Sequence, residues 1–205
     1  DRVDILNDAF VKIIDYKSGK ERFDADEAKA GWKLQLMLYL RAVMGSCADR
    51  SWETGGLKPA GVFYFEIAEP QIDATEISQN ELREKVEKEW KKNFKLDGIV
   101  IDHPNIIESI AGEFSGYSDI IPVRKNKEGG YAGTADRKLL TEEEFSDLLA
   151  AVDSTVEKLC NELVEGTIDI RPKRVKDETA CKFCLYKSIC NFDIAFRGCE
   201  YDVVK

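Results

Sequence analysis

Ile13-Ile14-Asp15-Tyr16-Lys17-Ser18-Gly19 is the stretch on which the reading of this chain turns. Its apolar start reads as a strand, and on a strand Asp15 and Lys17, two apart, project from the same face. An Asp-x-Lys triplet alone is common by chance and reads as a surface ion pair. The setting changes the odds, because this triplet closes an apolar strand, where an exposed pair is unusual. A second carboxylate can also reach it. Residues 1–6, Asp1-Arg2-Val3-Asp4-Ile5-Leu6, read as a preceding strand, and Asn7-Asp8-Ala9 is a polar break suited to a hairpin. With a three-residue loop, Asp1 lies opposite Asp15, Val3 opposite Ile13 and Ile5 opposite Val11. Opposed residues share a face, so this register buries four aliphatics together and sets two carboxylates side by side. A two-residue loop would separate Asp1 from Asp15.

Two carboxylates on adjoining strands repel unless a cation sits between them, and hard oxygen ligands suit Mg²⁺ or Mn²⁺. A lysine beside such an ion can position and help deprotonate water and can stabilise charge on a scissile phosphate. Those are the parts that phosphodiester hydrolysis needs. The bland alternative is an Asp/Lys pair with no metal.

Downstream, residues from about 26 to 44 read as a helix capped by Asp24 or Asp26 and ended by Gly45. Trp32, Leu34, Leu36, Met37, Leu38, Leu40, Val43 and Met44 surround it on nearly all sides, which predicts burial. Gln35 and Tyr39, four apart, share one face of it. Residues 58–67 supply an apolar strand through Gly61-Val62-Phe63-Tyr64-Phe65. Residues 1–67 thus read as strand, strand, helix, strand. Residues 68–166 read as an insertion followed by a long helix. Within them, Ser78 and Glu81 suggest a capping box before a charged helix to about Phe94. A short helix is expected at 104–114, a hairpin around Gly129-Gly130, and a helix from the Thr141/Glu144 capping box to Gly166. His103, before Pro104, reads as a loop residue.

Residues 167–205 form a cysteine-bearing tail. Of six cysteines, Cys181, Cys184 and Cys190 crowd into Cys-x2-Cys-x5-Cys, unlike a disulfide framework. Three thiolates at that spacing can converge on one centre, one short of the four that a structural zinc or iron-sulfur cluster takes. Three reduced thiols in a loop-rich tail are the plain alternative. Cys47, Cys160 and Cys199 read as buried or incidental thiols. The net charge of −9 argues mildly against a free-standing nucleic-acid binder. The basic run Arg171-Pro172-Lys173-Arg174-Val175-Lys176 suits a DNA backbone or a solvated face equally. No apolar run approaches the roughly 18 residues of a membrane span, and a cytoplasmic protein is expected. The chain opens at Asp1, without Met and in mid-strand, which reads as a cut with partner strands upstream.

The order and spacing of Asp1-Arg2-Val3-Asp4, Ile14-Asp15-Tyr16-Lys17-Ser18 and Gln35-Leu36-Met37-Leu38-Tyr39 resemble the RecB-like branch of the PD-(D/E)xK nucleases. The resemblance implies an α/β, restriction-endonuclease-like core: a mixed sheet flanked by helices, with a helical insertion and a cysteine tail. It implies that Asp1 and Asp15 are metal ligands joined by the main-chain carbonyl of Tyr16, that Lys17 is the catalytic lysine, and that Gln35 and Tyr39 contact DNA or support the site. The tail resembles that of nuclease regions in bacterial helicase-nucleases and of CRISPR-associated exonucleases. There Cys181, Cys184 and Cys190 would join an upstream cysteine in a 4Fe-4S cluster, incomplete in this stretch alone. The implied function is a Mg- or Mn-dependent DNA exonuclease working with a helicase-nuclease partner subunit, as a heterodimer, in double-strand break repair and recombination. An inactive nuclease-fold DNA-binding scaffold and a stand-alone CRISPR-type exonuclease are the alternatives.

Overall fold

The computed structural model describes residues 1–48, 56–67, 69, 79–135 and 137–204. Strands β1 (Arg2–Leu6) and β2 (Phe10–Lys17) form an antiparallel hairpin with Val3 opposite Ile13 and Ile5 opposite Val11. The loop is three residues long, as expected. Asn7 and Asp8 turn the chain with φ of 49° and 57°, a left-handed conformation that Asn and Asp tolerate better than most side chains.

Two helices follow where one was expected. α1 (Ala25–Lys29) begins at Asp24, whose side chain accepts from the Asp26 and Glu27 amides. α2 (Gln35–Ala48) begins afresh after a break in which Gly31 and Lys33 take φ of 84° and 53°. Gly31 thus ends the first helix, and Gly45 does not end the second, which runs through it. Nor is α2 buried all round: Leu36, Met37 and Leu40 are buried, whereas Leu38 and Tyr39 are exposed.

From α2 the chain enters β3 (Lys58–Glu66), parallel to β2, and this crossover makes the sheet mixed. α3 (Gln79–Asn93) leads to β4 (Asp97–Ile101), a strand not expected from the sequence, which pairs antiparallel with β3. The proposed cap residue Ser78 lies outside the described residues. α4 (Pro104–Ala111), with His103 as its N-cap, precedes the hairpin of β5 (Val123–Lys125) and β6 (Tyr131–Gly133). β7 (Leu139–Leu140) pairs parallel with β4 and closes a sheet of order β1-β2-β3-β4-β7. α5 (Glu142–Val164) starts in the full Thr141/Glu144 capping box, and Gly166 follows it with φ of 72°. The tail folds as a small sheet of β8 (Lys173–Val175), β9 (Glu178–Thr179) and β10 (Asp202–Val204), with α6 (Lys187–Cys190) between the last two. The result is an α/β fold with a central mixed sheet flanked by helices, of restriction-endonuclease-like architecture. Among the described residues, no helix is long and apolar enough to cross a membrane.

The sheet separates two apolar clusters. Val11, Ile13, Val62 and Ile99 pack with Leu36, Met37 and Leu40 of α2 and with Phe145, Leu148 and Val152 of α5. On the other face Ile14, Phe63 and Val100 pack with Ile107, Ile121 and Val123. The expectation that all four hairpin aliphatics are buried fails for β1. Val11 and Ile13 are buried, but Val3 and Ile5 are 49% and 53% exposed. β1 is the edge strand of this sheet, and among the described residues its Val3 and Ile5 are covered only in part.

Close approach of β3 and β4 depends on a missing side chain. A Cβ on Gly98 would stand 1.9 Å from the Val62 carbonyl oxygen and 2.8 Å from the Phe63 Cα. Backbone rather than a movable side chain blocks it. Gly98→Ala should therefore cost at least about 2 kcal/mol, at the upper end of ordinary overpacking, measured as a fall in the urea unfolding midpoint. An unchanged midpoint would mean that the strands do not pair as described.

Candidate active site

Asp15 is 2% exposed, at the point where the apolar strand β2 reaches the edge of the core. A carboxylate so placed needs compensation, because stripping its water costs several kcal/mol. The first answer is Lys17, two residues on and on the same face, with Nζ 2.9 Å from Asp15 Oδ2. Oδ2 is buried and, apart from this ion pair, has no polar partner.

The ammonium is fixed from α2. Lys17 Nζ donates to Gln35 Oε1 at 2.9 Å, and Gln35 Nε2 donates to the Tyr39 hydroxyl at 2.8 Å. Gln35 is the first residue of α2 and Tyr39 stands one turn on, so the relay runs along one helix face. Asp15, Lys17, Gln35 and Tyr39 are thus brought together. Asp1 joins them through the backbone, its Oδ1 accepting a long 3.4 Å hydrogen bond from the Tyr16 amide.

One neighbour does not stand out in the sequence. β2 and β3 run parallel with Asp15 beside Tyr64, so Tyr64 shares the site face. Its ring centroid is 5.5 Å from Lys17 Nζ. Burial, followed by the charge of Asp15, pushes the Tyr64 hydroxyl above its ordinary value, so it is a neutral phenol throughout the physiological range. A signal exists in Gly61-Val62-Phe63-Tyr64-Phe65, whose period of two sets Tyr64 on the face of Val62. The β2–β3 register, which the sequence does not carry, is what brings it to Asp15.

The donor set suits a hard divalent cation. Asp15 Oδ2 is a buried oxygen with no polar partner but the Lys17 ammonium, and Asp1 and the Tyr16 carbonyl offer further oxygens of the same chemistry. Among the described residues, no three His, Cys, Asp or Glu side chains converge as a metal-binding group. The cysteine tail is arranged differently. Cys181 and Cys190 are half-buried, Cys184 is exposed, all three are free thiols, and they do not gather into a ligating group. Cys160 is exposed rather than buried, Cys199 is half-buried, and the Cys47 side chain lies outside the described residues.

Comparison with known proteins gives the family. The sequence model of the PD-(D/E)XK nuclease superfamily matches residues 1–191, and the chain belongs to that superfamily. Among curated proteins it is 37% identical, over its whole length, to an ATP-dependent helicase/deoxyribonuclease subunit of Clostridium botulinum strain Hall. It is 38% identical to the protein of that name from Alkaliphilus oremlandii and 37% to that of Thermoanaerobacter sp. strain X514, again over the full chain. The chain spans only 17–18% of the length of these relatives.

Because Gln35 both accepts from Lys17 and donates to Tyr39, Gln35→Leu should remove two hydrogen bonds at nearly constant volume and cost about 1–2 kcal/mol. Tyr39→Phe, which removes only the outer one at an exposed residue, should cost less than about 0.5 kcal/mol. Equal effects in urea titrations would mean that the relay does not run through Gln35.

Proposed function

We propose that this chain is the nuclease region of a helicase-nuclease protein of the AddB type. In this reading it is a Mg²⁺- or Mn²⁺-dependent deoxyribonuclease, acting as an exonuclease on a DNA strand delivered by an AddA-like partner subunit. The setting is the cytoplasm, in double-strand break repair and recombination. The observation that carries the reading is the buried Asp15 carboxylate, its Oδ2 partnered only by a lysine that is itself held in place. The name of the relatives, an ATP-dependent helicase/deoxyribonuclease subunit, supports the deoxyribonuclease activity and the link to a helicase.

Asp1, Asp15 and the main-chain carbonyl of Tyr16 would hold the ion. When bound, such an ion acidifies a water and draws charge from the scissile phosphate. With Asp15 and Gln35 each 2.9 Å from Nζ, Lys17 retains an N–H donor for a phosphate oxygen or the attacking water, and so stabilises the negative charge that grows in the transition state. Gln35 keeps that ammonium from swinging on its four-carbon stem, and Tyr39 keeps Gln35 in its rotamer. In the longer protein, Cys181, Cys184 and Cys190 would supply three thiolates of a 4Fe-4S cluster, the fourth coming from elsewhere.

A nuclease-fold scaffold that binds DNA without cutting it is the second reading. It is favoured by one observation, that no third acidic or imidazole side chain joins Asp1 and Asp15 among the described residues.

Cleavage by the full protein with Mg²⁺ separates the two. Lys17→Ala should lower the cleavage rate by on the order of 10²–10³-fold and leave DNA affinity within about twofold, because the lysine acts on developing charge rather than on strand capture. Unchanged cleavage removes Lys17 from the mechanism, and no cleavage by the unaltered protein favours the scaffold. The metal is tested without turnover. Mg²⁺ or Mn²⁺ at ten times its dissociation constant should stabilise the protein by about 1.4 kcal/mol, read as a rise in melting temperature. Asp15→Asn should abolish that rise, and if it does not, the ion sits elsewhere.

A further inference from the structure

We propose that Tyr64 is a positioning residue for Lys17, its ring face forming the third wall of the socket that holds the ammonium beside Asp15; this rests on the nuclease reading above. The other two walls are polar, with Asp15 Oδ2 and Gln35 Oε1 each 2.9 Å from Nζ. The third comes from the neighbouring strand, where the Tyr64 ring centroid lies 5.5 Å from Nζ, within the roughly 6 Å over which an aromatic face attracts a cation.

The choice of a ring has a chemical consequence. An ammonium has three N–H donors and no acceptor. A third carboxylate or amide would engage another of those donors. The π face attracts the charge as a whole and requires no directed N–H. Lys17 is thereby held while a donor stays available for phosphate or water. Tyr64 suits this because it is 4% exposed, where such attraction is little diluted by solvent.

The ring is itself pinned. Phe23 packs against it, with centroids 6.4 Å apart and planes at 50°. The Phe23 backbone is clamped at both of its polar groups: its N–H donates to Asp97 Oδ1 at 2.8 Å, and its carbonyl accepts from Lys138 Nζ at 2.9 Å. Lys138 also pairs with Asp97 at 2.9 Å, which closes the clamp on β4. Tyr64 is therefore enclosed by its own strand, by Phe23 and by the lysine it faces.

The test is single-turnover cleavage by the full protein with Mg²⁺, with DNA affinity, KM and melting temperature measured on each variant. Tyr64→Phe keeps the ring and should cleave within about twofold of the unaltered protein. Tyr64→Leu and Tyr64→Met remove the π face and should cleave on the order of tenfold more slowly, with KM and affinity within about twofold. Mono-, di- and trifluorophenylalanine at position 64 keep ring shape while draining the face of negative charge. The logarithm of the rate should fall stepwise along that series, which a purely space-filling role would not produce. A flat fluorination series, a Tyr64→Phe loss as large as that of Tyr64→Leu, or a matching rise in KM overturns the proposal. Lys17→Ala in the same assay keeps the two failures apart. If the unaltered protein does not cleave, the nuclease reading falls; if Lys17→Ala cleaves normally, Lys17 leaves the mechanism and the role of Tyr64 falls with it; if Lys17→Ala is inactive while the fluorinated series is flat, only the role of Tyr64 falls.

Discussion

A carboxylate at the buried end of a central strand has to be answered, and much of the local structure follows from how this chain answers Asp15. The ion pair with Lys17 offsets part of the desolvation cost, but Lys17 is a flexible side chain whose head must then be held. Gln35 holds it, and to do so must stand at the first turn of α2, facing the sheet. An uninterrupted helix from residue 25 would arrive at Gln35 in a different phase. The break at Gly31 and Lys33 resets it, and so serves the site as well as the packing. Space is limited there too, since a Cβ on Gly31 would meet the Thr155 Cγ2 of α5 at 3.2 Å, in a conformation that already disfavours a side chain.

The hairpin register was legible because side-chain period on a strand is two and the polar break is three residues long. Those two facts alone place Val3 opposite Ile13 and bring Asp1 toward Asp15. The capping box at Thr141 was equally legible, since it requires only two residue types at fixed spacing. The helix break was not. Trp32, Leu34 and Leu36 continue an apolar pattern across it, and one glycine in a helical pattern is ordinarily tolerated. β4 was missed for a different reason: Asp97-Gly98-Ile99-Val100-Ile101 carries a glycine where a strand former is expected, and only the close approach to β3 explains it. The exposure of Val3 and Ile5 was hidden because alternation fixes which residues share a face, while burial depends on what covers that face.

The site residues divide along the same line. Asp15 with Lys17, and Gln35 with Tyr39, each share a face by spacing within one element, and the family resemblance of their motifs marks them as candidates. Tyr64 and the Phe23–Asp97–Lys138 clamp depend on contacts between segments 41 to 115 residues apart. Two aromatic residues and a salt bridge, scattered in sequence, have no signature until the parallel pairing of β2 with β3 sets Tyr64 beside Asp15.

The acidic balance of the chain bears on how DNA is held. Much of the negative charge has structural work: Glu142, Glu143 and Glu144 sit in the first turn of α5, where they complement the helix dipole, and Glu144 completes the capping box. Asp153 joins α5 to Arg41 of α2, Glu142 reaches Lys58 of β3, and Asp26 pairs with Arg137. In the tail, Lys176 reaches Glu27 of α1, Lys173 pairs with Asp202 across the tail's own sheet, and Val175 is buried. Lys173 and Lys176 of the basic run are therefore engaged by carboxylates, as is Arg171 by Asp169. Exposed pairs of this kind add little stability singly, but each lowers the positive charge left to attract phosphate. In the proposed assembly, gripping the strand falls largely to surfaces outside these 205 residues.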